Sequence, residues 1–157
     1  MNPCPCGYLT DNDKECTCSS GDIHRYTRKI SGPLLDRIDL HVNVQRPKYE
    51  ELTKTIAAES SASIRKRVLA ARERQARRLG KYHLATNSQM GHRQLKETCQ
   101  LTADANQLLA EAFDRLKLSA RSYDRLIKVA RTIADLAGKD TIDTAEIAEA
   151  IGYRSQF

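Results

Sequence analysis

The chain has 157 residues, 40% of them hydrophobic, which is enough to bury the core of one ordinary domain or two small ones. Lysine and arginine total 26 against 20 aspartate and glutamate, and this net charge of +6 indicates an anionic partner such as nucleic acid or a nucleotide. The sequence contains neither an apolar run of about 18 residues nor a signal-peptide pattern, so we expect a cytoplasmic protein that does not contact the membrane.

Four of the five cysteines form two C-x-C pairs separated by a loop rich in glycine, aspartate and asparagine: Cys4, Cys6, Cys16 and Cys18. A hairpin-like loop would bring the four sulfurs together, and structural zinc prefers a tetrahedral set of four thiolates. The alternative is a set of unligated thiols. His24 is a second-choice ligand because it lies within the next helical pattern, and we expect the fifth cysteine, Cys99, to be a small buried residue on a helix.

Residues 19–30 have helical spacing, with Ser19 and Asp22 placed as a capping pair. The dipeptide Gly32-Pro33 breaks this helix and predicts a tight turn. Apolar and polar residues then alternate from Ile38 to Val44, which predicts a half-buried strand.

Arg37 stands directly before the predicted strand, beside two leucines and an acid. One interpretation is a surface arginine paired with Asp36 or Asp39. The other is a cation that a rigid backbone holds at the rim of a packed element and aims at a partner.

Beyond residue 46 the pattern is helical, and we place a domain boundary there. The predicted helices span residues 49–57, 61–79, 93–99, 103–117 and 120–137, with a last short helix that begins at a capping box formed by Asp143 and Glu146. Gly80 and Gly138 are expected to end two of them, and residues 83–92 form a loop. The sequence therefore predicts a mainly α protein with a helical bundle as its C-terminal domain.

The helix predicted over residues 61–79 and the residues just after it carry eight basic side chains: Arg65, Lys66, Arg67, Arg72, Arg74, Arg77, Arg78 and Lys81. Only one acid, Glu73, lies among them. Because Ile64, Val68, Ala71 and Leu79 form an apolar stripe, most of the arginines must face water or a partner. This run is either an ordinary solvated face or a surface that binds the phosphates of nucleic acid.

Three segments resemble, in order, those of the ComM-like proteins in the magnesium-chelatase-like branch of the AAA+ ATPases. They are Asn2-Pro3-Cys4-Pro5-Cys6-Gly7, the segment from Arg25 to Leu40 that contains Ser31-Gly32-Pro33-Leu34-Leu35-Asp36-Arg37, and Leu118-Ser119-Ala120-Arg121-Ser122-Tyr123. The resemblance implies that residues 1–46 are the end of an α/β nucleotide-binding core and residues 47–157 its helical lid. It also implies a homo-oligomeric ring, expected to be a hexamer as in the family, with ATP and Mg²⁺ at each subunit boundary.

The same resemblance implies three residue roles. Asn2 is similar to the sensor-1 residue that positions the attacking water, and Arg37 is similar to the arginine finger that reaches the neighbouring subunit's ATP. Arg121 is similar to the sensor-2 arginine, which contacts the phosphates from the lid.

No G-x-x-x-x-G-K-[ST] phosphate loop occurs in the chain, which departs from the family pattern. We therefore expect a C-terminal piece of a longer ATPase, inactive alone and partnered by its upstream core. The parent protein would be an ATP-driven motor or helicase acting on DNA in recombination or natural transformation. The alternatives are a non-enzymatic, zinc-containing helical module that binds nucleic acid, and a chelatase-type motor that remodels a metal-insertion partner.

Overall fold

The computed structural model describes residues 1–9, 11, 13–35, 37–44, 47, 49, 53 and 58–154. This part of the chain is mainly helical, as predicted. The chain divides into two compact units, one comprising Met1–Ile38 with Val42–Ile56 and the other comprising Asp39–His41 with Ala57–Phe157. Within the described ranges, no helix has both the length and the apolar character needed to cross a membrane.

Two helices of the first unit lie wholly within the described residues, apart from single helical positions at Tyr49 and Thr53. Helix α1, Ser20–Thr27, begins at the predicted capping pair, where the Asp22 N–H donates to the Ser19 hydroxyl oxygen at 3.2 Å. Helix α2, Gly32–Leu35, occupies the position of the predicted tight turn. A proline is tolerated in the first turn of a helix, where its missing N–H would have no helical acceptor, so Gly32-Pro33 begins a short helix. It does not break the previous helix as predicted, because α1 already ends at Thr27.

The predicted strand over residues 38–44 is wrong, because these residues are described and form an irregular segment. Ile38 and Leu40 are 40% and 51% exposed, and Val42 and Val44 are 67% and 85% exposed. A strand needs a neighbouring strand to pair its backbone, and the described residues supply none. The His41 N–H instead donates to the Tyr153 carbonyl at 2.8 Å.

The described part of the second unit contains five α-helices, and their ends lie within two residues of the predicted ones. They are α3, Ser61–Leu79; α4, His92–Thr98; α5, Ala103–Arg115; α6, Ala120–Leu136; and α7, Thr144–Gly152, with 3₁₀ helices at Gly80–Tyr82 and Asn87–Gln89. The helix predicted over residues 49–57 lies largely outside the described residues.

Local signals account for these helix ends. The hydroxyls of Ser60, Thr102 and Ser119 cap α3, α5 and α6, and the predicted capping box of Asp143 and Glu146 begins α7. Gly138 ends α6 with a φ of 76°, and the N–H of the following Lys139 donates to the Ala134 carbonyl at 2.9 Å. Gly80 follows α3 without this reversal, because its φ is −54° and the chain continues into a 3₁₀ turn.

Helix α6 forms the centre of the bundle and packs against α3, α4 and α7, while α5 packs against α7. The fully buried apolar side chains include Leu79, Leu109, Leu126, Ile142 and Ile147. A parallel bridge between Leu101 and Ile142 joins the segments that precede α5 and α7. This bundle is the rigid support for the candidate residues on α3 and α6.

The predicted apolar stripe of α3 is only half correct. Ala71 and Leu79 are buried, but Ile64 and Val68 in the first half of the helix are 42% and 43% exposed. Only the C-terminal half of α3 therefore packs on the described part of the bundle.

Candidate functional site

The cysteine loop brings together the four sulfurs that the C-x-C pairs predict: Cys4, Cys6, Cys16 and Cys18. The turn after the first pair is closed by a hydrogen bond from the Gly7 N–H to the Cys4 carbonyl at 3.1 Å. Gly7 has a φ of 84°, a left-handed conformation that glycine adopts without strain. Farther along the loop, the Asp11 carboxylate accepts from the N–H groups of Asp13 and Lys14 at 2.8 and 3.0 Å.

The sulfur positions suit one tetrahedral metal ion. The Cys4 sulfur lies 3.3 Å from that of Cys6 and 3.7 Å from that of Cys16, and all four sulfurs lie within 4.8 Å of one another. Zinc–sulfur bonds of about 2.3 Å give a tetrahedron with sulfur–sulfur edges of about 3.8 Å. The four cysteines are free thiols, and His24 is not part of this cluster. The four thiols therefore fit a structural zinc ion, whose full donor set they would supply.

The thiols differ in acidity. The Tyr8 N–H is the main cause that lowers the pKa of Cys6 to about 6, helped by hydrogen bonds from neighbouring cysteines. The Cys6 N–H favours the Cys18 thiolate, but the Cys6 sulfur and burial outweigh it and raise the pKa of Cys18 to about 12. One sulfur is thus ready as a thiolate ligand near neutral pH, and a cation must offset the repulsion among the others.

Arg37 lies two residues beyond the end of α2, and its side chain is exposed. Its backbone is held in place, since the Arg37 N–H donates to the Leu34 carbonyl at 3.0 Å. Asp39, one of the two partners considered from the sequence, instead accepts from Arg125 at 2.8 Å. Asp36, the other candidate, lies outside the described residues. Among those that are described, no carboxylate pairs with Arg37.

Arg121 and Asn2 are also exposed. Arg121 lies in the first turn of α6, which begins where the Ser122 N–H donates to the Ser119 hydroxyl oxygen at 3.2 Å. No ion pair of Arg121 occurs in the described ranges. The Asn2 side chain lies over Gly7, because its amide nitrogen is 3.4 Å from the position that a Cβ on Gly7 would take.

The basic residues of α3, together with Lys81 just after it, separate into two groups. Arg65, Lys66 and Arg72 are exposed on the outer part of the helix, and Arg67 pairs with Glu59 at 2.9 Å. The four farther along, Arg74, Arg77, Arg78 and Lys81, lie around one cleft. Exposed basic side chains are therefore spread over the first part of α3, and a basic cleft lies beside its end.

Sequence reasoning missed a buried polar network behind this cleft. Arg78 donates two hydrogen bonds to Asp135, at 2.8 and 2.6 Å, and a third to the Asn87 side-chain oxygen at 3.0 Å. Arg131 is completely buried, lies 3.1 Å from the Asp135 carboxylate and donates to the Asp140 carbonyl at 2.6 Å. The i,i+4 spacing of Arg131 and Asp135 was the available signal for this pair.

In comparison with known proteins, two family models match successive parts of this chain. Residues 1–52 match "Magnesium chelatase, subunit ChlI", and residues 58–154 match "Magnesium chelatase, subunit ChlI C-terminal".

Similar proteins cover almost the whole chain. It is 38% identical over 156 residues to YifB of Escherichia coli and 39% identical over 156 residues to the competence protein ComM of Haemophilus influenzae. Each alignment covers 99% of this chain and 30% of the relative. The chain thus spans just under a third of the length of these relatives.

Proposed function

This chain belongs to the magnesium-chelatase ChlI family, and on that premise we propose that it is the C-terminal part of a ring-forming AAA+ ATPase subunit. Residues 1–46 would complete the nucleotide-binding core, and residues 47–157 would form its helical lid. The observation that carries this proposal is the pair of family matches, which together extend across both parts of the chain.

Arg37 is proposed as the arginine finger that reaches ATP in the neighbouring subunit. Two features support this role: the side chain is exposed without a carboxylate partner in the described part of the chain, and its backbone is tied to α2. An arginine supplied from outside the site offsets the charge that develops on the transferred phosphoryl group, which is worth roughly 10³ to 10⁵ in rate in other NTPases.

Arg121 is proposed to contact the nucleotide of its own subunit from the lid, and Asn2 is proposed to orient the attacking water. The rigid start of α6 supports the first role, because the capped helix holds Arg121 at a defined position. ATP with Mg²⁺ would supply the phosphoryl group. The residues that bind the metal and the β- and γ-phosphates would come from an upstream core with its phosphate loop.

The proposed zinc ion would have a structural role. Because the Asn2 amide lies against Gly7, in the turn between the cysteine pairs, a metal that fixes this turn also fixes the surface under Asn2. Zinc would then stabilise the position of Asn2, the residue proposed to orient the water, and the zinc ion would take no part in the reaction.

DNA is the proposed substrate of the motor, in recombination or natural transformation. The name "competence protein" of the Haemophilus influenzae relative and the exposed arginines of α3 support this assignment. A second candidate is a chelatase-type motor that remodels a metal-insertion partner, which the family description favours. The third is a zinc-containing module without ATPase activity. DNA binding separates the first from the second, and an encoded phosphate loop upstream separates the first from the third.

ATP hydrolysis tests the ATPase assignment. The protein that includes the upstream core should hydrolyse ATP, and the 157-residue chain alone should not. Arg37→Ala in the longer protein should lower turnover by orders of magnitude and leave nucleotide affinity nearly unchanged, because the finger acts mainly in the transition state. Unchanged turnover in Arg37→Ala would contradict the proposed finger.

A further inference from the structure

A cleft of about 690 Å³ lies beside the C-terminal half of α3. Four cationic side chains line it: Arg74, Arg77, Arg78 and Lys81. Two carboxylates, Glu97 and Asp140, are also part of the lining. Small-molecule sites have volumes of roughly 300–1,000 Å³, so the cleft is large enough for a small ligand.

The two carboxylates are already engaged by other groups. Asp140 pairs with Arg74 at 3.1 Å, and its side chain is 96% exposed. Glu97 accepts from Arg93, outside the cleft, at 2.8 Å and also from the Tyr82 hydroxyl. These contacts leave the cleft with more positive charge than its own acids neutralise.

Arg77 and Lys81 supply the accessible positive charge. Within the described part of the chain neither forms a close ion pair, although the charge of Lys81 helps to lower the pKa of Glu97, and both are exposed. They are four residues apart, where α3 passes into the 3₁₀ turn, and both flexible side chains line the same cleft. Lys81 lies over the Tyr82 ring at 4.8 Å, a contact that a cation keeps while it binds an anion.

The wall behind the cleft is also positive and rigid. Arg78 and Arg131 share the single carboxylate of Asp135, so two guanidinium groups face one acid in a buried setting. Charges in such low-dielectric surroundings act more strongly than exposed ones. Arg131 also donates to the carbonyl of Asp140 and thereby holds the loop that forms one side of the cleft.

We propose that this cleft binds a compact, multiply charged phosphorylated ligand of the pyrophosphate or nucleotide class. Arginine forks and a lysine point charge are the side chains that recognise phosphate oxygens. The cleft is concave and includes two carboxylates. This shape and charge favour a compact anion that binds between the cations over a nucleic-acid strand whose phosphate backbone would run across the cleft. None of Asn2, Arg37 and Arg121 lines the cleft, so the inference does not depend on the proposed ATPase site.

The test is calorimetric titration of the 157-residue chain with inorganic pyrophosphate at low salt. Arg77→Ala/Lys81→Ala should bind roughly tenfold or more weakly, because it loses two charge-assisted contacts. The control, Arg115→Ala/Lys117→Asn, removes the same charge elsewhere and should bind like the parent chain. Asparagine is chosen at position 117 because Lys117 has a φ of 48°, which asparagine tolerates. Equal thermal unfolding midpoints of both variants check that the fold is intact, and Arg77→Gln/Lys81→Gln should reproduce the loss.

Two results would overturn the proposal. One is the absence of pyrophosphate binding by the parent chain, and the other is equal binding by the cleft variant and the control. A single-stranded oligonucleotide without terminal phosphates is the second ligand titrated. If oligonucleotide binding depends on Arg77 and Lys81 and pyrophosphate binding does not, the cleft belongs to a DNA surface and the compact-ligand assignment is wrong.

Discussion

Arg78 and Asp135, which are 57 residues apart in the chain, form a two-point ion pair with nitrogen–oxygen distances of 2.8 and 2.6 Å. The Asp135 side chain has no solvent exposure, and it also accepts from the Asn87 amide at 2.8 Å. This pair joins α3 to α6 through charged groups at the edge of the apolar core.

Removal of the Arg78 side chain should strongly destabilise the bundle. We expect Arg78→Ala to lower the free energy of unfolding by about 3–5 kcal/mol, since it leaves a buried carboxylate with one cation fewer. The neighbouring arginine is the control, because Arg77 is exposed and Arg77→Ala should change stability by less than about 0.5 kcal/mol. Urea unfolding followed by circular dichroism measures both, and equal losses would show that the ion pair contributes nothing specific.

Metal analysis tests the cysteine site. The chain purified under reducing conditions should contain about one zinc ion per molecule, and Cys16→Ser should lose it because three thiolates and one hydroxyl bind zinc poorly. Cys99 is the matched control, since this buried cysteine lies in the bundle, so Cys99→Ala should retain the metal. Parent chain without zinc and with all four loop thiols freely reactive would rule out the site.

Subunit mixing tests whether Arg37 acts across a subunit boundary. In the longer protein, Arg37→Ala subunits mixed with subunits disabled in the phosphate loop should recover part of the ATP hydrolysis. Recovery occurs where an intact nucleotide site of one subunit meets an intact finger of the next. Subunit exchange is confirmed first, and activity that stays at the sum of the two inactive parents would mean that Arg37 does not work in trans.

DNA binding by the exposed basic residues in the first part of α3 should be weak, independent of sequence and strongly dependent on salt, because it relies on the release of counterions from phosphates. The variant to measure is Arg65→Glu/Lys66→Glu/Arg72→Glu, which reverses three exposed charges. Arg78 is left unchanged, since a glutamate there would lie against the buried Asp135 and disturb the fold. Fluorescence anisotropy across a salt series gives the affinity, and retention of parental affinity would return these residues to an ordinary solvated face.

Acid should weaken the start of α7. A hydrogen bond from the Thr144 N–H lowers the pKa of Asp143. For Glu146, burial acts to raise the pKa, but Lys139 at 2.8 Å and a hydrogen bond from the Asp143 N–H outweigh burial, so the pKa of Glu146 is lowered as well. Folded pKa values below the unfolded values of about 3.9 and 4.3 mean that these acids contribute stability above that range and lose it as pH falls through the folded values.

The variant that tests this acid sensitivity is Asp143→Ala. It should lower the free energy of unfolding at pH 7, as expected for a lost helix cap, and the difference from the parent should shrink below about pH 4. Urea unfolding from pH 7 to pH 3 measures this, with the exposed Asp114→Ala as control. A pH-independent difference would mean that the charge of Asp143 does not contribute.

Local chemistry made the helices and the cysteine cluster predictable. Hydroxyl and carboxylate caps such as Ser60, Ser119 and Asp143 accept from N–H groups one to three residues away, so a short stretch of sequence specifies a helix start. Gly138 ends α6 because glycine accepts a left-handed φ at low cost. The cysteine pairs required only that one short loop fold back, which Gly7 permits.

Contacts between distant segments decided the rest. Alternation from Ile38 to Val44 predicts a strand only if a neighbouring strand is present, and the described residues contain none. Arg77 and Arg78 are adjacent and chemically identical in the sequence, yet one is exposed and the other is bound to Asp135. No local pattern distinguishes them, because the distinction arises from the way α6 packs against α3 and brings a carboxylate 57 residues away within hydrogen-bonding distance of only one of the two.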